Sequence, residues 1–135
     1  MRILEAALYA ENLEETAEFY ERILELERIV TVPGRHVFFR AGEAVFLLFR
    51  PSATRKPPAP EARVQVPPHG VEGEGHICFA GSAEEIERWR ETLAREGIEI
   101  EADFTWPQGG RSIYFRDPAG NSIEIAEPRI WNLAQ

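Results

Sequence analysis

The order strand, helix, strand, strand, strand can be read twice in this chain, and that repetition limits its fold more than any other feature. In the first copy, residues 3–10 alternate as a strand, with Glu5, Ala7 and Tyr9 on one face and Leu4, Ala6 and Leu8 on the other. Asn12 followed by Glu15 predicts a capping-box variant opening a helix. Leu13, Thr16, Ala17, Tyr20, Ile23 and Leu24 then form an apolar stripe at helical spacing, with Glu14, Glu18, Glu21 and Arg22 outside it. Strands over residues 28–32 and 36–40, joined at Pro33-Gly34, and an apolar strand over 44–49 complete the unit.

In the second copy a strand spans 76–80, with His76, Cys78 and Ala80 sharing a face. Ser82-Ala83-Glu84-Glu85 is a capping box, and Ile86, Trp89 and Leu93 form the helix stripe, which makes Trp89 a core residue. Gly97 ends the helix, and a strand is expected over 98–102. Laying Asn12 on Ser82 brings Phe19 onto Trp89 and Ile23 onto Leu93. Shortening one loop by a residue brings Glu5 onto His76. The repetition reads as an internal duplication.

The second copy closes on a hairpin. Residues 112–116 and 122–126 flank Asp117-Pro118-Ala119-Gly120-Asn121, in which proline presets one turn dihedral and glycine supplies a positive φ. Alternation puts Ile123 and Ile125 on one face and Glu124 on the other with Ser122 and Ala126. A carboxylate among small residues in mid-strand either faces solvent or lines a cavity in which it binds something.

The chain has 135 residues, 44% hydrophobic and 28% charged, the size and composition of one globular domain or two small halves. No apolar run approaches the roughly 18 residues a membrane span needs, and no signal-peptide pattern opens the sequence. One cysteine, Cys78, excludes an internal disulfide and fits a reducing cytoplasm. A net charge of −8 argues against nucleic acid as a partner. Residues 51–74 carry most of the prolines and little periodicity, and read as an extended connector, functional or partly disordered. The organisation is thus module one (1–50), connector (51–74), module two (75–128) and a C-terminal tail (129–135).

Two βαβββ modules, the second closing on Phe115-Arg116-Asp117-Pro118-Ala119-Gly120-Asn121-Ser122-Ile123-Glu124, resemble the vicinal oxygen chelate superfamily. That superfamily includes glyoxalase I, fosfomycin-resistance transferases, extradiol dioxygenases and bleomycin-resistance proteins. Residues 8–20, Leu8-Tyr9-Ala10-Glu11-Asn12 through Phe19-Tyr20, look like its first strand and helix, and Gly75-His76-Ile77-Cys78-Phe79 looks like its fifth strand. The resemblance implies an α+β fold, two tandem βαβββ modules whose curled mixed sheets form one cleft.

It also implies metal ligands on the strands that open and close the modules: Glu5, where many members have histidine, His76 and Glu124. The closing strand of module one, Val45-Phe46-Leu47-Leu48-Phe49, offers no fourth ligand. One imidazole and two carboxylates suit one divalent ion, Mn, Fe, Ni, Zn or Mg, acting as a Lewis acid on neighbouring substrate oxygens. Glu5 and Tyr114 are the expected catalytic residues. Tyr9, His69, Cys78, Trp106, Arg111 and Ser112 are the expected substrate contacts, with Trp106 on a glycine-hinged lid and Arg111 a clamp for a carboxylate or phosphate. His36 reads as an ordinary structural histidine. The expected activity is that of a small metalloenzyme, a lyase, isomerase, transferase or ring-cleaving dioxygenase acting on a small molecule. The alternative is a metal-free protein sequestering a cationic aromatic ligand, as bleomycin-resistance proteins do. A cytoplasmic homodimer with neither nucleic-acid nor membrane partners is expected in both cases.

Overall fold

The computed structural model describes residues 1–134, which divide into two compact units, one over Met1–Gly73 and one from Glu74 onward. In the first unit, β1 (Glu5–Tyr9) leads into α1 (Leu13–Arg22), followed by β2 (Glu27–Val32), β3 (His36–Ala41) and β4 (Ala44–Phe49). The four strands form one mixed sheet in the order β1-β4-β3-β2, with β1 and β4 parallel and the other pairs antiparallel. The register places Glu5, Ala7 and Tyr9 beside Val45, Leu47 and Phe49, and these beside Arg40, Phe38 and His36, all on one face. On the opposite face Leu8, Val37, Phe39, Phe46 and Leu48 are buried, as are Ala17, Tyr20 and Ile23 of the helical segment. The Tyr20 ring lies 4.8 Å from that of Phe46, centroid to centroid, and 6.0 Å from that of Phe39.

Pro33-Gly34 is the β2–β3 turn: Gly34 has φ +73°, a backbone that glycine takes without steric cost, and Arg35 N–H donates to the Val32 carbonyl at 3.0 Å. The connector starts as a one-turn helix, α2 (Pro51–Thr54), and then runs irregularly to Gly75.

The second unit repeats the plan with β5 (His76–Ala80), α3 (Ala83–Arg95), β6 (Ala102–Thr105), β7 (Arg111–Arg116) and β8 (Ser122–Ala126). Its strand order, β5-β8-β7-β6, matches that of the first sheet position for position, again with one parallel pair. The pattern of the sequence is therefore matched by topology as two tandem βαβββ modules in an α+β chain. A 3₁₀ turn, Pro128–Trp131, follows and buries Ile130.

Three local expectations differ from the structure. Ser82 and Glu85 form a complete capping box, but Asn12 makes no side-chain cap; its amide donates to Glu15 and its oxygen accepts from the Thr16 hydroxyl. Asn12 has φ −84° and ψ 60°, whereas Ser82 has the extended backbone that aims a capping side chain at the helix. Trp89 is half-buried while Ile86 and Leu93 are fully buried. At about 100° per residue it stands roughly 60° round the helix from Ile86, on the margin of the apolar stripe. Residues 98–101 do not form the expected strand. Gly97, at φ +71°, and Ile98 close α3 instead, with N–H bonds to the Ala94 and Leu93 carbonyls that satisfy the last turn in a Schellman arrangement. The ladder with β7 starts at Ala102 opposite Tyr114, introduced by the Glu101 N–H bond to the Tyr114 carbonyl at 2.8 Å.

Candidate functional site

The hairpin that ends the second sheet is built around Asp117. Its Oδ1 accepts the backbone N–H groups of Ala119 and Asn121, and its Oδ2 accepts the Asn121 side-chain amide, each at 2.9 Å. The Asn121 amide oxygen in turn accepts Gly75 N–H at 2.8 Å, and Ser122 N–H donates to the Gly75 carbonyl. One turn thereby fixes both the β7–β8 hairpin and the start of β5, and so the register that sets His76 opposite Ser122 and Cys78 opposite Glu124.

Glu124 itself is 5% exposed, whereas His76 and Cys78 beside it are exposed, so the carboxylate is buried at the edge of an open face. Its Oε1 accepts the Ser112 hydroxyl at 2.7 Å, and Ser112 Oγ accepts the Trp106 indole N–H at 2.8 Å. Tyr114 and Cys78 border the same carboxylate. Shielding from water first, and the Glu124 carboxylate second, push both the Tyr114 hydroxyl and the Cys78 thiol up to about 12. Both groups therefore hold their protons at neutral pH.

His76 completes this cluster. Its Nδ1 lies 3.0 Å from the Ser122 carbonyl oxygen, which can only accept, so Nδ1 carries a hydrogen. The other ring nitrogen, Nε2, then points a lone pair at Glu124 Oε2 from 3.3 Å away. Two acceptors so placed need a positive charge between them, either a proton on Nε2 or a metal ion. A histidine oriented by a carbonyl on its far nitrogen is the usual preparation of a metal ligand. His76 Nε2 and Glu124 Oε2 are two donors of the kind a divalent ion takes, but among the described residues no three His, Cys, Asp or Glu side chains gather around one point.

Phe104, beyond the strand expected over 98–102, belongs to β6 and stands on this face too. Its ring is stacked 5.9 Å from that of Tyr114, which is stacked 6.1 Å from His76, and the Trp106 ring meets Phe104 edge-on at 4.9 Å. With the strand expected over 98–102, the 102/104 alternation that would mark Phe104 is invisible in the sequence. Arg111 alternates to the opposite face, where its guanidinium holds both Asp103 oxygens, at 2.9 and 2.8 Å, and Glu87 at 2.9 Å. These carboxylates occupy it on the α3 side, away from Glu124. The segment around Trp106 is a tight turn closed by Trp106 N–H to Gly110 O and Gly109 N–H to Trp106 O, both 2.8 Å.

The remaining expected residues, Glu5, Tyr9 and His69, meet in the first unit. They line a hollow of about 610 Å³ against the β1-β4-β3 face, walled by Phe38 and Phe49 and roofed by Pro67 and Pro68 of the connector. The Tyr9 hydroxyl is 2.6 Å from His69 Nδ1, and the His69 ring packs edge-on against Phe49 at 4.6 Å. His36 lines the same hollow, stacked on Phe38 at 4.1 Å, so it is a wall residue and not merely a structural one.

Two βαβββ units of matching strand order in a chain of this length define a fold of the vicinal-oxygen-chelate type. The model of the Glyoxalase/Bleomycin resistance protein/Dioxygenase superfamily matches residues 2–125, and the chain belongs to that superfamily. Among solved structures, a lactoylglutathione lyase from Agrobacterium tumefaciens is 37% identical, with a TM-score of 0.91 over 98% of this chain and 97% of that one. A virulence protein from Salmonella typhimurium is 27% identical (TM-score 0.69, 94% and 96% covered). A fosfomycin resistance protein from Mesorhizobium loti, 18% identical at TM-score 0.61 over 94% and 91%, shares the fold. A search among curated proteins found no match. Among the described residues no helix is long and apolar enough to cross a membrane.

Proposed function

We propose that this protein is a divalent-metal enzyme of the glyoxalase type, a lyase or isomerase acting on a small oxygenated molecule. The observation that carries the reading is the His76 Nε2–Glu124 Oε2 pair, two ligand atoms 3.3 Å apart with the histidine tautomer set by the Ser122 carbonyl. The likeness at 37% identity to a lactoylglutathione lyase supports the lyase class. Bound there, the ion would supply Lewis acidity to neighbouring substrate oxygens.

The chain's own groups do the rest. Ser112 holds one Glu124 oxygen and leaves the other turned to His76. Tyr114, kept protonated, holds a proton at its hydroxyl for a substrate oxygen. Trp106 and Phe104 present apolar ring surface on the same side of the sheet. The protein acts as a cytoplasmic homodimer in this proposal.

Plasma mass spectrometry on untagged protein, before and after EDTA dialysis, tests the reading. About one Mn, Fe, Ni or Zn per chain, lost in Glu124→Gln, together with EDTA-sensitive turnover of lactoylglutathione, is the expected result. Metal content unchanged by Glu124→Gln would put the site elsewhere. A metal-free binding protein is the second reading, favoured by the row of rings from His76 through Tyr114 and Phe104 to Trp106. It predicts ligand binding that survives EDTA and no thermal stabilisation by any divalent ion.

A further inference from the structure

The chain carries 23 acidic and 15 basic side chains, and most of its arginines are ion-paired: Arg28 with Glu21 at 2.5 Å, Arg50 with Glu11 at 2.9 Å, Arg55 with Glu72 at 2.6 Å. Arg35 differs. It is half-buried, yet among the described residues its guanidinium has no carboxylate partner, only the ring of His36 at 2.7 Å. A partly desolvated guanidinium left without a counter-ion in an acidic protein is costly unless something else supplies the negative charge.

Arg35 stands where two hollows of the first unit adjoin. One is the aromatic-walled space of about 610 Å³ described above, and the other, of about 380 Å³, lies under the connector. Arg35, His36 and Val66 line both. The smaller hollow adds Lys56, the only lysine and an exposed residue, and has no acidic side chain in its lining. In the larger one the sole acidic side chain of the lining is Glu5. Val32, Val64 and Val66, all exposed apolar side chains, gather around the smaller hollow, the kind of patch that a ligand covers.

The polar groups fit an anion as well. A guanidinium only donates, so His36 Nδ1 accepts from Arg35 and the neutral ring carries its hydrogen on Nε2. Burial and the adjacent Arg35 charge both hold the His36 imidazole below its ordinary value, which keeps it in that neutral form at pH 7. Arg35, Lys56 and His36 thus present donors, while His36, Phe38, Phe49, His69 and Tyr9 present contiguous ring surface.

We infer that the first unit binds a small, flat apolar anion, its carboxylate or phosphate held by Arg35 and Lys56 and its body lying along the aromatic wall of the larger hollow. The site is built wholly from residues of the first unit; it includes Glu5, Tyr9 and His69 of the expected ligand and substrate set, but its hold on an anion comes from Arg35 and Lys56 and needs no ion. It also reverses the sign of ligand that the net charge suggests, because the local cations, not the overall −8, face the hollow.

Calorimetric titration of the full chain in EDTA tests this, with 1-naphthoate and 1-naphthyl phosphate as anionic probes, 1-naphthamide as the neutral one and 1-naphthylmethylamine as the cation. Because metal is absent throughout, the outcome is separate from that of the metal analysis. Expected are tighter binding of an anionic probe than of the amide, weakening with salt, and a loss of roughly ten- to hundredfold in Arg35→Gln, as for hydrogen bonds to charged groups. Binding of the amide should hardly change in that variant. Lys56→Gln, at an exposed position, should weaken the anion by a smaller factor and decides the matter if Arg35→Gln does not fold. The amide or the amine binding as tightly as both anions, an unchanged anion-to-amide ratio in the variants, or no binding of any probe would overturn the inference.

Discussion

Replacing Asp117 by alanine removes the acceptor for three N–H groups at once, and the structure says what each loss costs. Ala119 N–H lies at the turn tip and can turn to water. The Asn121 backbone N–H and side-chain amide cannot do so easily, since Asn121 is 1% exposed. A buried donor left unsatisfied costs about 1–3 kcal/mol, so two of them amount to about 3 kcal/mol once partial relaxation of the turn is allowed. Against a typical domain stability of about 5–15 kcal/mol this is a large fraction, equivalent to roughly 10 °C in Tm at this chain length. The effect should also reach function. Asn121 is what holds Gly75, and Gly75 starts the strand that sets His76 beside Glu124. Urea and thermal unfolding followed by circular dichroism give the stability, and metal affinity of the folded fraction gives the positional consequence. A loss below about 1 kcal/mol, or unchanged metal affinity with the full loss of stability, would refute the argument that this turn organises the site.

The two helix starts should respond differently to the same substitution. Ser82→Ala breaks a complete capping box and should cost about 1 kcal/mol in urea unfolding, while Asn12→Ala, which removes no cap, should cost less than half of that. Equal losses would contradict the geometry. Glu127 accepts from Arg129 and from the Arg111 backbone N–H, and these hold its carboxyl below the usual range, the Arg129 contact contributing most. A depressed folded-state value means that the stabilisation is complete above the ordinary carboxylate value of about 4.3 and fades as pH falls through the lower folded one. Tm measured from pH 7 to about pH 2.5 should therefore fall less steeply for Glu127→Gln than for the parent, and parallel curves would count against the coupling.

Much of the fold is legible because it rests on local chemistry. Ser82 and Glu85 announce α3 within four residues, Pro33-Gly34 and Asp117-Pro118-Ala119-Gly120-Asn121 announce their turns, and alternation alone separates Glu124 from Ile123 and Ile125. The recurrence of that grammar is enough to specify two like modules. The strand faces of His76 and Glu124 are legible for the same reason, whereas their reading as metal ligands rests on the family resemblance and not on alternation.

Tertiary structure decided what depends on partners distant in sequence. Asn12 has the same kind of side chain and spacing as a cap but lacks the backbone angles. Ile98 belongs to a helix end because Gly97 turns left-handed there, which moves the following strand and brings Phe104 onto the Tyr114 face. Arg111 looks like a free cation until Asp103 and Glu87 are found around it, and Arg35, in an ordinary turn, becomes notable only because no carboxylate among the described residues reaches it. Periodicity and caps act over a few residues, so sequence records them directly; burial and ion pairing are sums over neighbours brought together by folding, and only the folded chain contains those sums.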